Sequence, residues 1–281
     1  MKITRRKFIM TTSVLGVSGI GTNLVMASEQ ADQKAIKTSI KLITDNLSQY
    51  FTKAGYVAVP AAPIISGISF NGGLNYDENL PKSQKAIYVI QPSSRIEDIA
   101  KKNQKGYLPL FTIFGIANAS NNNQVEHTKL VFTYLISVLR LNPKLMSITS
   151  TELIKPLLPT LASYGIAENQ IQLRPLAEAK KIGDGSGWFA PAGHPQTPNV
   201  PTYSVEYQMP DGRQIEIAEL PIGLNAGGFG IERLAMAKNQ AYLSWNDCLP
   251  QFKDLVQADA QKNRQTLPIG YYEISGLPKP A

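Results

Sequence analysis

Apolar residues recur at helical spacing through residues 33–51. Ile36, Ile40, Ile43, Leu47 and Tyr50 are separated by polar residues, which predicts an amphipathic helix. Residues 55–64 form a short apolar run stopped by Pro60 and Pro63, and predict a strand. Residues 67–83 are rich in Gly and Asn and predict a loop. Two more strands are predicted at 86–91 and 107–116. The connection between them carries Arg95, Glu97 and Asp98 and then Lys101, Lys102 and Lys105. Helical spacing returns at 124–140, with Val125, Leu130, Tyr134 and Val138. A strand at 145–148 and a helix at 151–164 follow. Ser150 or Thr151 caps that helix ahead of Glu152, while Pro156 and Pro159 make it irregular.

Residues 184–199, rich in Gly and Pro, predict a long loop. Residues 202–209 and 213–220 alternate around Pro210-Asp211-Gly212, the pattern of a hairpin. Gly227-Gly228-Phe229-Gly230 then reads as a turn opening a helix at 231–239. Strands joined by hairpins, with helices inserted in blocks, predict an α+β fold with an antiparallel sheet.

The amino terminus follows another pattern. Arg5 and Arg6 stand together with Phe8 just beyond them. An uncharged run rich in Gly, Ser and Thr from Thr11 to Val25 leads to Met26-Ala27. This is the pattern of a twin-arginine export signal with cleavage near Ala27/Ser28. The run is too short and too rich in small polar residues for a good spanning helix. Residues 1–27 are therefore expected to be a signal read by the twin-arginine translocase. Residues 28–281 are expected to be one mature domain, folded before export and then periplasmic or secreted.

Removing the signal takes four basic residues and no acids, so the net charge falls from +7 to +3. A balance this small is no argument for nucleic-acid binding. The lone Cys248 excludes an intramolecular disulfide and reads as a buried, inert thiol. His127 and His194 are far apart and without cysteine partners, so a structural zinc site has little support.

Three pieces of sequence carry chemistry together. Arg95-x-Glu97 closes a strand ahead of a basic connection and the aromatic strand at Phe111. Glu216 and Glu219 stand on the second hairpin strand. Gly228-x-Gly230-Ile231-Glu232-Arg233 leads into the last predicted helix. Glycines let a flat ligand approach the backbone. Arginines on separate elements can fork phosphate oxygens, and nearby acids can hold the magnesium that accompanies nucleotides.

In order and spacing these pieces resemble the signature motifs of class II aminoacyl-tRNA synthetases, in particular the catalytic core of the alanyl enzymes. The resemblance begins at Phe51-Thr52-Lys53-Ala54-Gly55-Tyr56 and Val59-Pro60, similar to the family's first motif, a dimer-edge strand. Gln91-Pro92, Arg95, Asp98 and Phe111 resemble its second motif. Tyr164-Gly165-Ile166 and Gly183-Asp184-Gly185-Ser186-Gly187 stand where the family has a Gly-Ile turn and a Gly-Asp loop. Ile215–Glu219 and Gly228–Ala235 resemble the strand and third motif that close its site. The resemblance covers roughly residues 35–250.

It implies a class II synthetase-like antiparallel sheet flanked by helices, with ATP and Mg2+ as cofactors if the chain is active. Arg95 would hold the α-phosphate, with Glu97 beside it. Phe111 would stack on adenine above Gly228 and Gly230, and Arg233 would clamp the terminal phosphates. Glu216 is the metal candidate. Glu219, Asp184 and Trp188 are candidates for holding the substrate. The implied reaction joins an amino-acid carboxylate to the α-phosphate through charge neutralisation and alignment, with Arg95 and Arg233 as the catalytic pair. A homodimer through the strand near 55–63 is implied as well.

The sequence also departs from the family. Tyr107 stands where a basic residue belongs and Thr112 where an acid belongs. Ala226 replaces the aspartate that holds the substrate's ammonium, and Glu219 replaces an asparagine. The family's tRNA-binding and editing domains have no counterpart here, so nucleic acid is not expected as a partner. Two functions stay open: an amino-acid-activating, ATP-dependent ligase, and an inactive synthetase-like protein that binds a small carboxylate or amino acid. Export favours the second, since the periplasm holds little ATP.

Overall fold

The computed structural model describes residues 20–61, 85–94, 104–108, 110–121, 123–190 and 199–244, with side chains from residue 32 onward. The expected twin-arginine pair, the 67–83 loop, Arg95, Glu97, His194 and Cys248 lie outside the described residues.

Helix α1 spans Ile20–Lys53, so its backbone runs through the position expected for cleavage. Ile36, Ile43, Leu47 and Phe51 lie on one face and are buried. Lys41 pairs with Asp45 on the opposite, exposed face. The helix ends in a Schellman motif. Tyr56 N donates to Phe51 O at 2.9 Å and Gly55 N to Thr52 O at 3.0 Å, with Gly55 at φ +88. The rings of Tyr56 and Phe51 meet edge to face at 5.2 Å across this stop.

Strands β1 (Val57–Ala58), β2 (Ala86–Ser94) and β3 (Leu110–Asn118) come next, then helix α2 (Gln124–Phe132), capped by the Asn123 side chain. The helical pattern foreseen through residue 140 does continue, but as a π-helical turn over Thr133–Val138. β4 (Met146–Ser150) leads into a 3-10 segment, Glu152–Leu157, and the short helix α3 (Leu158–Ser163). Thr151 is the N-cap and the prolines sit where the helix is irregular, as expected. β5 (Ile171–Leu173) and α4 (Leu176–Ile182) follow, and β6 (Trp188–Phe189) interrupts the loop expected at 184–199. The hairpin is β7 (Val200–Gln208) and β8 (Gln214–Pro221), followed by β9 (Ala226–Gly230) and α5 (Ile231–Asn239).

Among the described residues these strands form one sheet in the order β1-β2-β3-β9-β8-β7-β4-β5, with β6 on β7. The outer pairs β1–β2 and β4–β5 are parallel and the remaining pairs antiparallel. The fold is therefore α+β, an antiparallel-dominated sheet flanked by helices. The glycine run foreseen as a turn is instead the central strand β9, hydrogen-bonded to β3 and β8.

One face of the sheet carries the core. Phe114 and Phe229, opposite each other on β3 and β9, meet Phe51 of α1 and Tyr134 in one aromatic cluster with ring centroids 5.5–6.5 Å apart. Helix α5 packs between α1 and the sheet. Since side chains alternate along a strand, the residues between these point to the other face. Among the described residues, no helix is long and apolar enough to cross a membrane.

Candidate functional site

The face opposite the core gathers the polar residues that the sequence singles out. Register puts Phe111, Ile113 and Gly115 of β3 on it, together with Gly228 and Gly230 of β9 and Glu219 of β8. Glu216 and Glu219 are three residues apart, a spacing that would send them to opposite faces of a regular strand. A β-bulge reconciles them. Val205 pairs with Ala218 but Glu206 with Glu216, leaving Ile217 as the extra residue. Ile217 and Ala218 both turn into the core, and both glutamates stay on the open side.

Arg233 enters from the first turn of α5. Its guanidinium lies 5.2 Å from the centre of the Phe111 ring, within cation–π range. Its Nη1 donates to Glu216 Oε1 at 3.3 Å and to the Glu216 carbonyl at 3.4 Å. The two side chains are 13% and 27% exposed, so this pair is sheltered rather than fully solvated. Glycine at 230 leaves the room that Arg233 occupies: a β-carbon there would come within 3.3 Å of Arg233 Cδ. One at Gly228 would meet Ile113 Cγ2 at 3.0 Å, so any larger residue there has to push the Ile113 side chain aside.

The Gly183–Gly187 loop lies over β7 and β8. Gly185, at φ +94, would direct a β-carbon straight into the Glu219 carboxylate, so backbone rests on that acid. Thr202 Oγ1 donates to Gly185 O. Ser186 and Ser204 hydroxyls meet at 3.1 Å, and Ser204 Oγ is 3.3 Å from Glu216 Oε2. Both carboxylate oxygens of Asp184 accept from Arg174 Nη1 at 3.1 Å, and Oδ1 also accepts the Ser186 N–H at 2.9 Å. Trp188 donates its indole N–H to Asn199 and carries the Lys180 ammonium 4.4 Å above its ring. Asp184 thus lies within the loop and Trp188 just after it, while Arg233, Phe111, Glu216, Glu219, Gly228 and Gly230 share the sheet face opposite the main core.

Sequence reasoning gives no role to four residues around this site, Thr112 and Glu232 on the core side of the sheet and Ser204 and Glu206 on the opposite side. Glu232 is fully buried and accepts the Thr112 N–H at 2.8 Å and its hydroxyl at 3.0 Å. Thr112, a departure from the family pattern, is thus the anchor of the acid that opens α5. Ser204 and Glu206 stand on β7, where Glu206 accepts from Ser147 at 3.1 Å and Thr149 at 3.0 Å. Polar residues at alternate positions of a buried strand are the signal available for both.

Beyond the far end of β9, His127 Nε2 donates to Ala226 O at 3.1 Å, and burial pulls this imidazole down to about 4. At the near end a surface clasp steadies the segment before β3. Arg213 donates to Asp211 and lies over the Tyr242 ring, which packs against Gly106.

Glu216 already receives Arg233 and Ser204, and among the described residues no group of three or more His, Cys, Asp or Glu side chains is arranged to hold a metal ion. Phe111 is 4% exposed, with Arg233 over one face, leaving no open ring surface for a purine. As they stand, these residues fit a magnesium–nucleotide poorly.

No family model matches the chain, and no curated protein matches it. Among solved structures it is similar to an aspartyl-tRNA synthetase from Entamoeba histolytica, with 15% identity and a TM-score of 0.39 over 82% of this chain and 61% of that one. It is also similar to an apo histidyl-tRNA synthetase from S. aureus, with 13% identity and a TM-score of 0.39 over 72% of this chain and 67% of that one. The chain thus spans less than two thirds of the aspartyl enzyme's length.

Proposed function

We propose that the chain is a class II synthetase-like domain, nearest in motif order to the alanyl enzymes, that binds a small carboxylate or amino acid on the open face of its sheet. The arrangement of Arg233 and the Glu216–Glu219 strand on one glycine-lined strip carries this reading. A guanidinium offers a carboxylate two parallel donors. Glu219, beside Gly228, offers charge to an ammonium. An α-amino acid carries both groups a few bonds apart. The Arg5-Arg6 pattern supports export to the periplasm, where free amino acids are more accessible than ATP. The short parallel edge strand β1 supports dimerisation, which light scattering tests.

Calorimetric titration with a panel of free amino acids and carboxylates tests the binder. We expect saturable heat with at least one, lost in Arg233→Ala and weakened in Glu219→Gln. Failure of the whole panel on folded protein sinks the reading.

A second reading, ATP-dependent formation of an aminoacyl adenylate, is favoured by the Gly228-x-Gly230-x-x-Arg233 pattern and by Arg95 and Glu97 of the second motif. Glu216, engaged by Arg233 and Ser204 as it stands, offers no metal seat, so that reading leaves charge neutralisation at the phosphates to the arginines. Arg233 would orient the anion and exclude water from it. Amino-acid-dependent exchange of labelled pyrophosphate into ATP separates the two readings. Exchange that disappears in Arg233→Ala replaces the binder with the enzyme.

A further inference from the structure

We propose that Ser204, backed by Ser186, is a positioning residue for Arg233, fixing Glu216 where it orients the guanidinium. The proposal rests on the pocket reading above. Ser204 is fully buried and Ser186 is 9% exposed, so water does not satisfy these hydroxyls freely. Ser204 Oγ has three acceptors within reach: Ser186 Oγ at 3.1 Å, Glu216 Oε2 at 3.3 Å and Gly185 O at 3.3 Å. A serine hydroxyl has one proton to give. Gly185 O already receives Thr202, and the Glu216 carboxylate that pairs with Arg233 is the stronger acceptor, so the proton of Ser204 goes to it. Ser186 then donates into the lone pair that Ser204 has left. The chain runs in one direction, from Ser186 to Ser204 to Glu216, where it meets Arg233 coming from the other side at 3.3 Å.

Two consequences follow from that direction. Ser204 ties down Oε2 and so leaves Oε1 to Arg233, which sets the height of the guanidinium over Phe111. When an anionic ligand group takes Arg233, Glu216 retains a donor instead of standing unpaired in a sheltered site, where an unpaired carboxylate is costly. Without Ser204, Arg233 becomes the main partner of Glu216, and Glu216 competes with the ligand for it.

The experiment follows the Arg233 Nε–Hε resonance in the full chain and the dissociation constant for L-alanine. Ser204→Ala should shift or broaden the resonance and weaken L-alanine binding about 3- to 10-fold, the net effect of one ordinary hydrogen bond. Ser186→Ala, at a less buried position, should change both in the same sense but less. Ser204→Thr retains the hydroxyl and should restore both. A resonance in Ser204→Ala that superimposes on wild type overturns the proposal. So does a folded Ser204→Thr protein indistinguishable from Ser204→Ala. If L-alanine binds no protein, wild type included, the pocket reading fails for this ligand, while the resonance still decides whether Ser204 positions Arg233.

Discussion

Truncating Glu232 to alanine separates a structural acid from a ligand-binding one inside the same motif. The carboxylate is fully buried in the first turn of α5, with Thr112 N–H at 2.8 Å and Thr112 Oγ1 at 3.0 Å. A hydrogen bond to a charged acceptor contributes about 1.5–3 kcal/mol. Its place at a helix N-terminus adds about 0.3–1 kcal/mol. Truncation also leaves the Thr112 N–H without this acceptor in the interior. We therefore expect Glu232→Ala to cost about 3–5 kcal/mol, a large part of a domain stability of about 5–15 kcal/mol. Thr112→Val retains the shape and the N–H bond and should cost about 1.5–2 kcal/mol. The double variant should cost less than the sum by about 1 kcal/mol, because the second change removes a donor whose acceptor has gone. Urea unfolding followed by circular dichroism measures all four proteins. A Glu232→Ala cost below about 1 kcal/mol at unchanged m-value, or a strictly additive cycle, would refute the reasoning.

Burial holds His127 down to about 4 from an ordinary 6.5, so below pH 6.5 the unfolded chain takes up a proton that the folded one refuses. Stability should be unaffected by this group above pH 6.5. It should fall by about 3 kcal/mol in total as the pH drops from 6.5 to about 4. Urea midpoints across that range should flatten in His127→Gln, and parallel curves for the two proteins would exclude His127 as the cause. Phe229→Ala removes the ring that touches Phe51, Phe114 and Tyr134, and should cost about 3–5 kcal/mol, read as a drop in Tm of about 6–20 °C for a domain of this size, on the order set by core truncations. Gly55→Ala has nothing within 4 Å of the added carbon, so only the φ of +88 opposes it. A cost of about 1 kcal/mol is expected, and one much above about 2 kcal/mol would mean that the Schellman stop carries more than backbone strain.

Helices and strands with a strong period are legible in the amino-acid sequence. The stripe of Ile36, Ile43 and Leu47 and the alternation around Pro210-Asp211-Gly212 need only local geometry, and both elements form where expected. Boundaries drift where the chain borrows stability from distant partners. The stretch after Phe132 turns π-helical, with Leu139 N bonded to Tyr134 O and Lys238 of α5 donating to Leu139 O at 2.8 Å. Strand β9 reads as a turn because three glycines in five residues have little β-propensity of their own. Two strand edges, β3 and β8, supply its hydrogen bonds. The close approach of Glu219 O, 2.9 Å from where a β-carbon of Gly227 would stand, makes small residues necessary there.

The sequence by itself determined which residues are available for chemistry: Arg233, Glu216, Glu219, Phe111 and the glycines, in an order that resembles class II synthetases. It also determined the α+β class, because hydrophobic period is a local property of the chain. Tertiary structure alone decided which of those residues meet. A bulge at Ile217 turns two glutamates to one face, and pairing of Thr112 with Glu232 settles one acid inside the protein. Ser204 reaches Glu216 across two strands whose register no local pattern specifies. Contacts of this kind depend on sheet register and on the competition among donors for a single proton, and both exist only once distant segments are packed together.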